Sequence, residues 1–494
     1  MNNGESDIQS RIKINRIHPK DMTKKEWIED FYSFFNMMKD NFPYFWVKER
    51  LLGYNWTDLK NRYLERLEKA NEDLEFLAIF WDAVCALQNA HTTLWMPERM
   101  KYHFQEDGYF QKTEPFKTIF SPQVKEANFY WKPILDKSFE IRFGTNFEVL
   151  ILYHKGDYLI VDGFDGWKEK FGLGTKIIAV DGKPIDDAIR NTYEKGNIDW
   201  DFKRKKICQF TIAPRHFGAD AQFTIVKRNG EQETVVFKSD TKYSYENLFK
   251  YPDERLTIRI WPDKKIGYLR IKSFEDEYKD QEHDFLISFY KQIEDFDYLI
   301  IDVTGNQGGS YQPWAANVVA PLTKEKLESK MYLGYRKGKY VNLFRKMAET
   351  AIETIVPKEA FDFLPPEVLT DDFTVYDYTY TVEPSNEVDF KGKIILLVDK
   401  VTFSATDAFA LFCKETGFAT LYGEPTGGDG ISESPVYYVL PNSKLVIRFT
   451  PGMGIDYTGN SNEEMRVHPH VFYEYKLRNH NDLIEFTIEK LAKK

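Results

Sequence analysis

The segment from Lys391 to Gly430 constrains the fold and the chemistry of this chain most strongly. It opens with a continuous apolar run, 394–398, that predicts a buried strand. A short turn follows, and a helix is predicted from about Ala405, so Ser404 lies at the mouth of a strand-to-helix turn. Because the first backbone N–H groups of a helix have no partners within it, they can hold a negatively charged oxygen. A serine beside such an anion hole provides the nucleophile and the charge stabilisation that acyl transfer requires.

The residues around this serine resemble a known family. The sequence SATD at 404–407 is followed by GEPT at 423–426. This combination resembles the nucleophile region of the tail-specific (C-terminal processing) serine peptidases, peptidase family S41. The resemblance implies a crotonase-like α/β catalytic core, Ser404 as nucleophile, a peptide or protein substrate and no cofactor.

Composition narrows the class of protein further. The chain has 494 residues, enough for two to four domains, and its formal net charge of −10 argues against nucleic-acid binding as its main role. Its three cysteines are far apart and form no C-x-x-C pair, so neither a disulfide framework nor a structural zinc site is indicated. No apolar signal segment opens the chain, and no run reaches the roughly 18 apolar residues of a membrane span. We therefore expect a cytoplasmic protein; the sequence does not indicate an oligomeric state.

Changes in residue pattern along the chain predict a multi-domain α/β protein. Apolar residues at three- and four-residue steps indicate helices near the N-terminus, and strands alternate with helices after residue 265. The predicted units are a flexible N-terminus at 1–22, a helical domain at 23–97, a connecting segment at 98–144, a PDZ-like β-module at 145–242 and an α/β catalytic core at 243–494. Within the core, an insertion at about 320–385 is rich in aromatic and charged residues, and we expect a mobile cap or a side subdomain there.

The β-module is predicted from its turns. The segment 171–185 combines a glycine turn, a strand and an Asp181-Gly182 turn, and Asn229-Gly230 joins two further strands as a closing hairpin. This pattern resembles a PDZ module, which takes an extended peptide along the edge of its sheet. The alternative is an inert β-module that only shapes the cleft.

Serine is a weak nucleophile and needs a neighbouring base. The tail-specific branch has a lysine 25 residues after the serine, but that position is Asp429 in this chain, which excludes a Ser-Lys dyad at this spacing. A second branch of the family uses a Ser-His-Glu triad, with its histidine in a D-G-H-T-type motif. The sequence NAHT at 89–92 resembles this motif and implies His91 as general base, with Asn89 in place of the usual aspartate.

The resemblance places the third triad member near the C-terminus. Aligning the segment 463–471 with the branch's G-V-x-P-D-type strand indicates Glu463 as the group that orients the imidazole, with Glu464 as the alternative. Arg466 replaces the usual glycine of that strand and His470 its usual aspartate. Two histidines two residues apart, His468 and His470, are weak evidence for a metal site, so none is predicted.

The oxyanion hole needs two N–H donors. One is expected from Ala405. The other is expected from the sequence TGNQGG at 304–309, which resembles the family's D-x-R-x-N-x-G-G loop and has Thr304 in place of the arginine. Glycines allow a close backbone approach to a substrate carbonyl, and Gly308 is the predicted donor with Gly309 as the alternative.

Together these features predict a serine peptidase that forms an acyl-enzyme through Ser404, His91 and Glu463. The alternative is a catalytically inactive protein of the same fold that binds peptides or apolar ligands. A third possibility is an interaction module that uses the PDZ-like surface.

Overall fold

The fold is seen in a computed structural model that describes residues 22–100, 104, 114–164, 166–240, 248–345, 354–431 and 434–493. The predicted flexible N-terminus therefore lies outside the described residues, except for its last residue.

Helices dominate the described chain up to residue 143. The first helix begins with a capping box, in which Thr23 accepts a hydrogen bond from the Glu26 backbone and the Glu26 carboxylate accepts one from the Thr23 N–H. Aromatic side chains at helical spacing, such as Phe31 and Phe34, are fully buried on its inner face. The elements of this part are α1 Lys24–Asn41, α2 Phe45–Leu52, α3 Lys60–Lys69, α4 Asp73–Cys85, β1 Thr93–Leu94, α5 Pro97–Met100, α6 Phe116–Ile119 and α7 Pro122–Phe143, with a 3-10 turn at Trp56–Leu59.

A buried carboxylate fastens the first helix to the C-terminal half of the chain. Asp30 lies within α1 and accepts hydrogen bonds of 2.8 Å from the backbone N–H groups of both Asn442 and Ser443. Burial raises the pKa of Asp30 to about 6. The turn at 442–443 leads into the strand that pairs with β1. β1 itself begins two residues after His91, the predicted general base.

Asp30→Asn is expected to change how stability depends on pH. Because the pKa of Asp30 in the folded protein lies above its unfolded value of 3.8, the folded state holds the extra proton between about pH 4 and 6. This contribution to the free energy of unfolding is full below pH 4 and is lost as the pH rises through 6. From pH 4 to pH 7 the difference between wild type and variant should therefore shift by on the order of 3 kcal/mol in favour of asparagine. Urea unfolding across that range measures it.

The exposed Asp40, near the end of the same helix, gives the matched control. Asp40→Asn should leave the pH dependence as it is in the wild type. A difference between wild type and Asp30→Asn that stays constant with pH would contradict the prediction.

A β-rich module follows the helices and has its own hydrophobic core. Its main sheet has the strand order β11-β10-β5-β4-β3-β9 with antiparallel pairing throughout. The hairpin predicted at Asn229-Gly230 is present, since β10 and β11 pair over their full lengths. The strands are β2 Asn146–Phe147, β3 Val149–His154, β4 Asp157–Gly163, β5 Lys176–Val180, β6 Lys183–Pro184, β7 Asp199–Asp201, β8 Lys206–Cys208, β9 Thr211–Ile212, β10 Gln222–Val226, β11 Gln232–Val236 and β12 Ser239–Asp240; the helices are α8 Trp167–Lys170, α9 Ile185–Ile189 and α10 Pro214–Phe217.

A six-stranded sheet forms the centre of the C-terminal half. Its order is β13-β14-β15-β18-β19-β23, and every pair except β13–β14 is parallel. Helices cover the sheet, so its central strands are buried and read as continuous apolar runs. The strands of this half are β13 Leu256–Trp261, β14 Ile266–Ile271, β15 Tyr298–Asp302, β16 Leu327–Arg336, β17 Phe373–Val382, β18 Lys393–Val398, β19 Thr420–Gly423, β20 Val436–Val439, β21 Val446–Phe449, β22 Gly452–Ile455 and β23 Val471–Phe472. The helices are α11 Lys279–Gln292, α12 Tyr311–Trp314, α13 Ala320–Leu322, α14 Val341–Arg345, α15 Ala405–Thr416, α16 Asn462–Met465 and α17 Asn481–Leu491, with a π-helical turn at Ala315–Val319 between α12 and α13.

The predicted insertion at about 320–385 contains two long strands. β16 and β17 pair along all ten residues of each, and β16 also pairs with β22 from the C-terminal region. The described part of the insertion is thus joined to the rest of the chain by a three-stranded sheet. The expected motion of this insertion as a cap stays a prediction.

A further sheet joins the N-terminal helical part to the C-terminal half of the chain. β1 pairs antiparallel with β21, which pairs with β20. This pairing holds the residues just before β1, including His91, against the C-terminal half. Among the described helices, none combines the length and the apolar character that crossing a membrane requires.

Candidate active site

Ser404 lies in the turn between the central strand β18 and the helix α15. The strand β18 ends at Val398, and the turn that follows is held by the Asp399 carboxylate, which accepts hydrogen bonds from the N–H groups of Gly305, Val401 and Thr402. Ser404 is the N-cap residue directly before α15, with φ 55° and ψ −129°, a backbone conformation that a residue with a side chain rarely adopts. Such strain is characteristic of functional sites, and a sharp strand-to-helix turn exposes the serine hydroxyl.

His91 connects Ser404 to a buried carboxylate. Its Nε2 lies 3.1 Å from Ser404 Oγ, and its Nδ1 lies 2.7 Å from Asp429 Oδ2. An ionised carboxylate can only accept, so Nδ1 carries the hydrogen and Nε2 is left to accept from the serine hydroxyl. The structure therefore brings the predicted serine and histidine together, although 313 residues separate them.

The carboxylate that contacts His91 is not the predicted one. Glu463 is buried in α16, where its Oε1 accepts from Lys48 Nζ and its Oε2 lies 3.6 Å from Arg466 Nη1. Two cations hold Glu463 in place, and no contact between it and His91 is found in the described part of the chain. The prediction of Glu463 as the partner of His91 is corrected to Asp429.

The alternative, Glu464, is also held elsewhere. Its carboxylate pairs with the guanidinium of Arg50, with Arg50 Nη2 2.6 Å from Glu464 Oε2. The same arginine also pairs with Glu367. Glu464 therefore joins α16 to α2 rather than to the histidine.

Asn89 explains how Asp429 fits beside the histidine. Its Nδ2 donates to Asp429 Oδ2 at 2.9 Å, and its Oδ1 accepts from the hydroxyls of Thr92 and Thr450. An aspartate at position 89 could not donate and would place a second carboxylate against Asp429. Asn89 in place of the motif's aspartate and Asp429 in place of the family's lysine are therefore linked by a direct contact. These two replacements are the signal in the sequence that could have identified Asp429 as the partner of His91.

Asp429 is fully buried but remains ionised. Burial alone would raise the pKa of Asp429, but the neighbouring His91, the hydrogen bonds from His91 and Asn89, and the charge of Lys48 together hold it below its usual value. An ionised carboxylate at this point favours the protonated imidazole that forms when His91 takes a proton.

A second buried acid supports the loop that carries Asp429. Asp407 lies in α15 and accepts hydrogen bonds from the Thr426 hydroxyl, from Asn462 Nδ2 and from the Gly430 N–H. Burial raises the pKa of Asp407 to about 6. Asp407 thus ties the helix that begins at Ser404 to the segment on both sides of Asp429.

Two backbone N–H groups of the predicted oxyanion segments have no hydrogen-bond partner among the described residues. Ala405 is the first residue of α15, and no hydrogen bond from its N–H is found within the described residues. The N–H of Gly308 donates to Asn306 Oδ1 at 2.9 Å, whereas no partner is found for the N–H of Gly309 in the same part of the chain. This contact favours the alternative, Gly309, as the donor, and the assignment stays a prediction.

Gly308 instead provides space beside the nucleophile. A Cβ at this position would lie 2.8 Å from Ser404 Cβ and 3.1 Å from the Ala405 nitrogen, and φ is +110°. We expect Gly308→Ala to lower kcat/KM by about 10²–10³-fold, because the methyl group displaces the serine and covers an oxyanion donor. Steady-state kinetics on a peptide substrate measure the loss.

Gly417 is the matched control for this substitution. It ends α15, the same helix that begins after Ser404; its φ is +73°, and a Cβ there meets nothing within 4 Å. Gly417→Ala also places a side chain on a residue with positive φ, but its methyl group contacts nothing near Ser404. This variant should therefore keep most of the activity. Equal losses in the two variants would contradict a specific role for the space at Gly308.

The histidines near the C-terminus have structural partners. His470 Nδ1 accepts from the Leu421 N–H at 3.0 Å, and the ring of His468 contacts the ring of Phe202. Over the described ranges, no group of three or more histidine, cysteine or acidic side chains is arranged to hold a metal ion.

Comparisons with known proteins find a family model that matches part of the chain and solved structures of similar fold. The model of peptidase family S41 matches residues 265–472, which contain Ser404 and Asp429 but not His91. No curated protein sequence matches the chain. Mature CPAF complexed with lactacystin has a similar structure, with a TM-score of 0.58 and 14% identity over 95% of this chain and 97% of that one.

Two further solved structures are similar. Mature CPAF alone gives a TM-score of 0.57 at 13% identity, over 95% of this chain and 96% of that one. The photosystem II D1 C-terminal processing protease gives 0.41 at 13% identity, over 94% and 96%. At these identities the CPAF structures show a shared fold over nearly the whole chain, including the helical part that carries His91.

Proposed function

We propose that this chain is a serine peptidase of family S41, whose model matches residues 265–472, and that it hydrolyses peptide bonds through an acyl-enzyme. Ser404 is the nucleophile, His91 the general base and Asp429 the group that orients it. One observation carries the proposal, namely the continuous contact from Ser404 Oγ to His91 Nε2 at 3.1 Å and from His91 Nδ1 to Asp429 at 2.7 Å.

The proposed reaction follows from these contacts. Ser404 Oγ attacks the scissile carbonyl carbon while its proton passes to His91 Nε2. The carbonyl oxygen becomes negative and is held by the N–H groups of Ala405 and Gly309. His91 then gives its proton to the leaving amine as the C–N bond breaks. Water, deprotonated by His91, hydrolyses the ester, and Ser404 regains its proton. No step uses a cofactor.

The departures from the family pattern are compatible with catalysis. Asn89 donates to Asp429, so it supports the relay. Thr304, in place of the usual arginine, donates from its hydroxyl to Asp302, and its carbonyl accepts from Arg270. Arg466 lies beside the Glu463 carboxylate. These contacts give each replacement a structural role and do not favour the inactive alternative.

We also infer that the module at 145–242 is PDZ-like and that the central sheet with its helices is crotonase-like. The antiparallel sheet with its own hydrophobic core supports the first assignment, and the parallel sheet that presents Ser404 at a strand-to-helix turn supports the second. A PDZ-like module would guide an extended peptide toward the serine along a sheet edge.

Covalent labelling of the purified wild-type chain tests the proposal. A fluorophosphonate probe should react with one residue, and peptide mass spectrometry should place the adduct on Ser404. Cleavage of casein should stop when labelling is complete. Labelling of another residue, or the absence of both labelling and cleavage, would refute the proposed mechanism.

A further inference from the structure

A cavity opens next to the residues on either side of His91. It has a volume of about 280 Å³, and one wall is formed by residues 89–90 and 92–94. Aromatic side chains from the helical part form the other walls, among them Trp81, Phe139 and Phe143. A group bound here would therefore lie close to the catalytic histidine.

The cavity contains a cation without a counter-charge. Arg215 is half-buried, and its guanidinium lies 5.7 Å from the centre of the Phe143 ring. Its Nε is buried without a hydrogen-bond partner, and among the described residues no carboxylate lies within ion-pair distance of it. Burial, together with the charge of Arg142, lowers the pKa of Arg215 to about 10. A half-buried cation with no counter-charge and a buried, unpartnered Nε makes the free protein less stable, so its presence suggests that an anion binds there.

Two further arginines increase the positive charge at this place. Arg99 lines the cavity, and Arg448 is directly opposite Thr93 in the β1–β21 pair, which puts both side chains on the same face of the sheet. Burial lowers the pKa of Arg448, and the charge of Arg99 adds to this effect. In the part of the chain that the structure describes, neither arginine lies within ion-pair distance of a carboxylate, and the charge of Asp429 acts on the pKa of Arg448 against the effect of Arg99.

Asp82, which follows Trp81 of the cavity wall, does not neutralise this cluster. Asp82 already pairs with three cations, Arg66, Arg142 and Lys195, at 2.7, 2.6 and 2.9 Å. A local excess of positive charge therefore surrounds the cavity, although the chain as a whole has a formal net charge of −10. That contrast favours an anionic ligand over a neutral one.

The sheet next to the cavity allows a peptide to reach it. Among the strands that the structure describes, β1 pairs with β21 on one side and is the edge strand of its sheet. An extended peptide can pair with a free edge and direct alternate side chains into the adjoining pocket. A peptide on this edge would pass His91, which comes two residues before β1.

We infer that this cavity binds a carboxylate of the peptide substrate through Arg215, with Arg99 and Arg448 adding to the positive charge. The inference rests on the proposed function, since it names the substrate class of the same active site. The carboxylate is either an acidic side chain near the scissile bond or the free C-terminus of a substrate cut close to its end. In both cases the aromatic walls hold the adjoining apolar part of the peptide.

Binding to the inactive full-length Ser404→Ala chain tests this inference without requiring turnover. The probes are fluorescein-labelled decapeptides in matched pairs, with glutamate or glutamine at one position, each made with a free or an amidated C-terminus. In one kind of pair, we expect the member with the additional carboxylate to bind at least about tenfold more tightly than its amide partner. Fluorescence anisotropy measures the two affinities. A glutamate preference identifies a side-chain carboxylate, whereas a preference for the free acid identifies the C-terminus.

Variants in the same background connect the preference to the cavity. The quantity compared is the ratio of the two affinities within a peptide pair, that of the acid over that of its amide partner. Arg215→Gln should bring this ratio close to one, Arg215→Lys should keep part of the preference, and Arg99→Gln should reduce it. Arg190→Gln, at an exposed arginine of the β-module, is the control and should leave the ratio unchanged. Since Arg99 is exposed, its variant keeps the test decisive even if Arg215→Gln does not fold.

Equal binding of every acid and its amide partner would overturn the inference. So would a preference that survives both Arg215→Gln and Arg99→Gln. Failure of the proposed function would be seen separately, as a wild-type chain that is not labelled at Ser404, because peptide binding does not depend on hydrolysis.

Discussion

Replacing Ser404 with alanine is expected to abolish labelling by a fluorophosphonate probe and to lower kcat/KM by at least about 10⁴-fold. The hydroxyl is the atom that forms the acyl-enzyme, and no neighbouring group can take its place in the contact with His91 Nε2. In-gel fluorescence measures the labelling, and release of a fluorogenic peptide product measures the activity.

Ser310 provides the matched control for Ser404→Ala. It begins the short helix α12 directly after the glycine pair, and its side chain makes no capping hydrogen bond. Ser310→Ala should therefore be labelled and should cleave peptide at a rate close to that of the wild type. Labelling that survives in Ser404→Ala, or disappears in Ser310→Ala, would discard the assignment of the nucleophile.

The nucleophile could be predicted because its signal is local. The apolar run before Ser404 forms β18, and the residues after it form α15, so strand, turn and helix follow from about 25 neighbouring residues. The strands β14 and β15 are predictable for the same reason, since strands buried on both faces read as short apolar runs. His91 was found through its motif and the family resemblance.

The partner of His91 could not be predicted in the same way. Asp429 and His91 are 338 residues apart, and their contact depends on how β1 pairs with β21 and on how Asp407 holds the loop at 426–430. Comparison with the family's C-terminal motif indicates Glu463 as the partner of His91. The sequence does not show that the Glu463 carboxylate instead contacts Lys48 and Arg466.

The oxyanion donor shows a similar limit. The glycine pair at 308–309 is evident in the sequence, but which N–H is available depends on the Asn306 side chain. Asn306 Oδ1 accepts from the Gly308 N–H and also from the Thr406 hydroxyl. Such a side-chain contact forms only when the loop lies against α15, and so it is a property of the tertiary structure.

Asp429→Asn is expected to lower kcat/KM by about 10³–10⁴-fold while leaving the fold intact. The amide would donate to His91 Nδ1 and so move the ring hydrogen to Nε2, where the imidazole can no longer accept the proton of Ser404. It would also remove the negative charge that stabilises the imidazolium. Steady-state kinetics measure the loss, and circular dichroism checks the fold.

Glu463→Gln separates this role from that of the predicted residue. It leaves the His91–Asp429 contact in place, so kcat/KM should fall by less than about tenfold. It removes the charge that faces the buried Lys48, so the free energy of unfolding should fall by about 3 kcal/mol. The two variants should thus affect different measurements, activity for Asp429→Asn and stability for Glu463→Gln. If Glu463→Gln loses activity as completely as Asp429→Asn while staying folded, the glutamate is the catalytic acid and the relay through Asp429 is wrong.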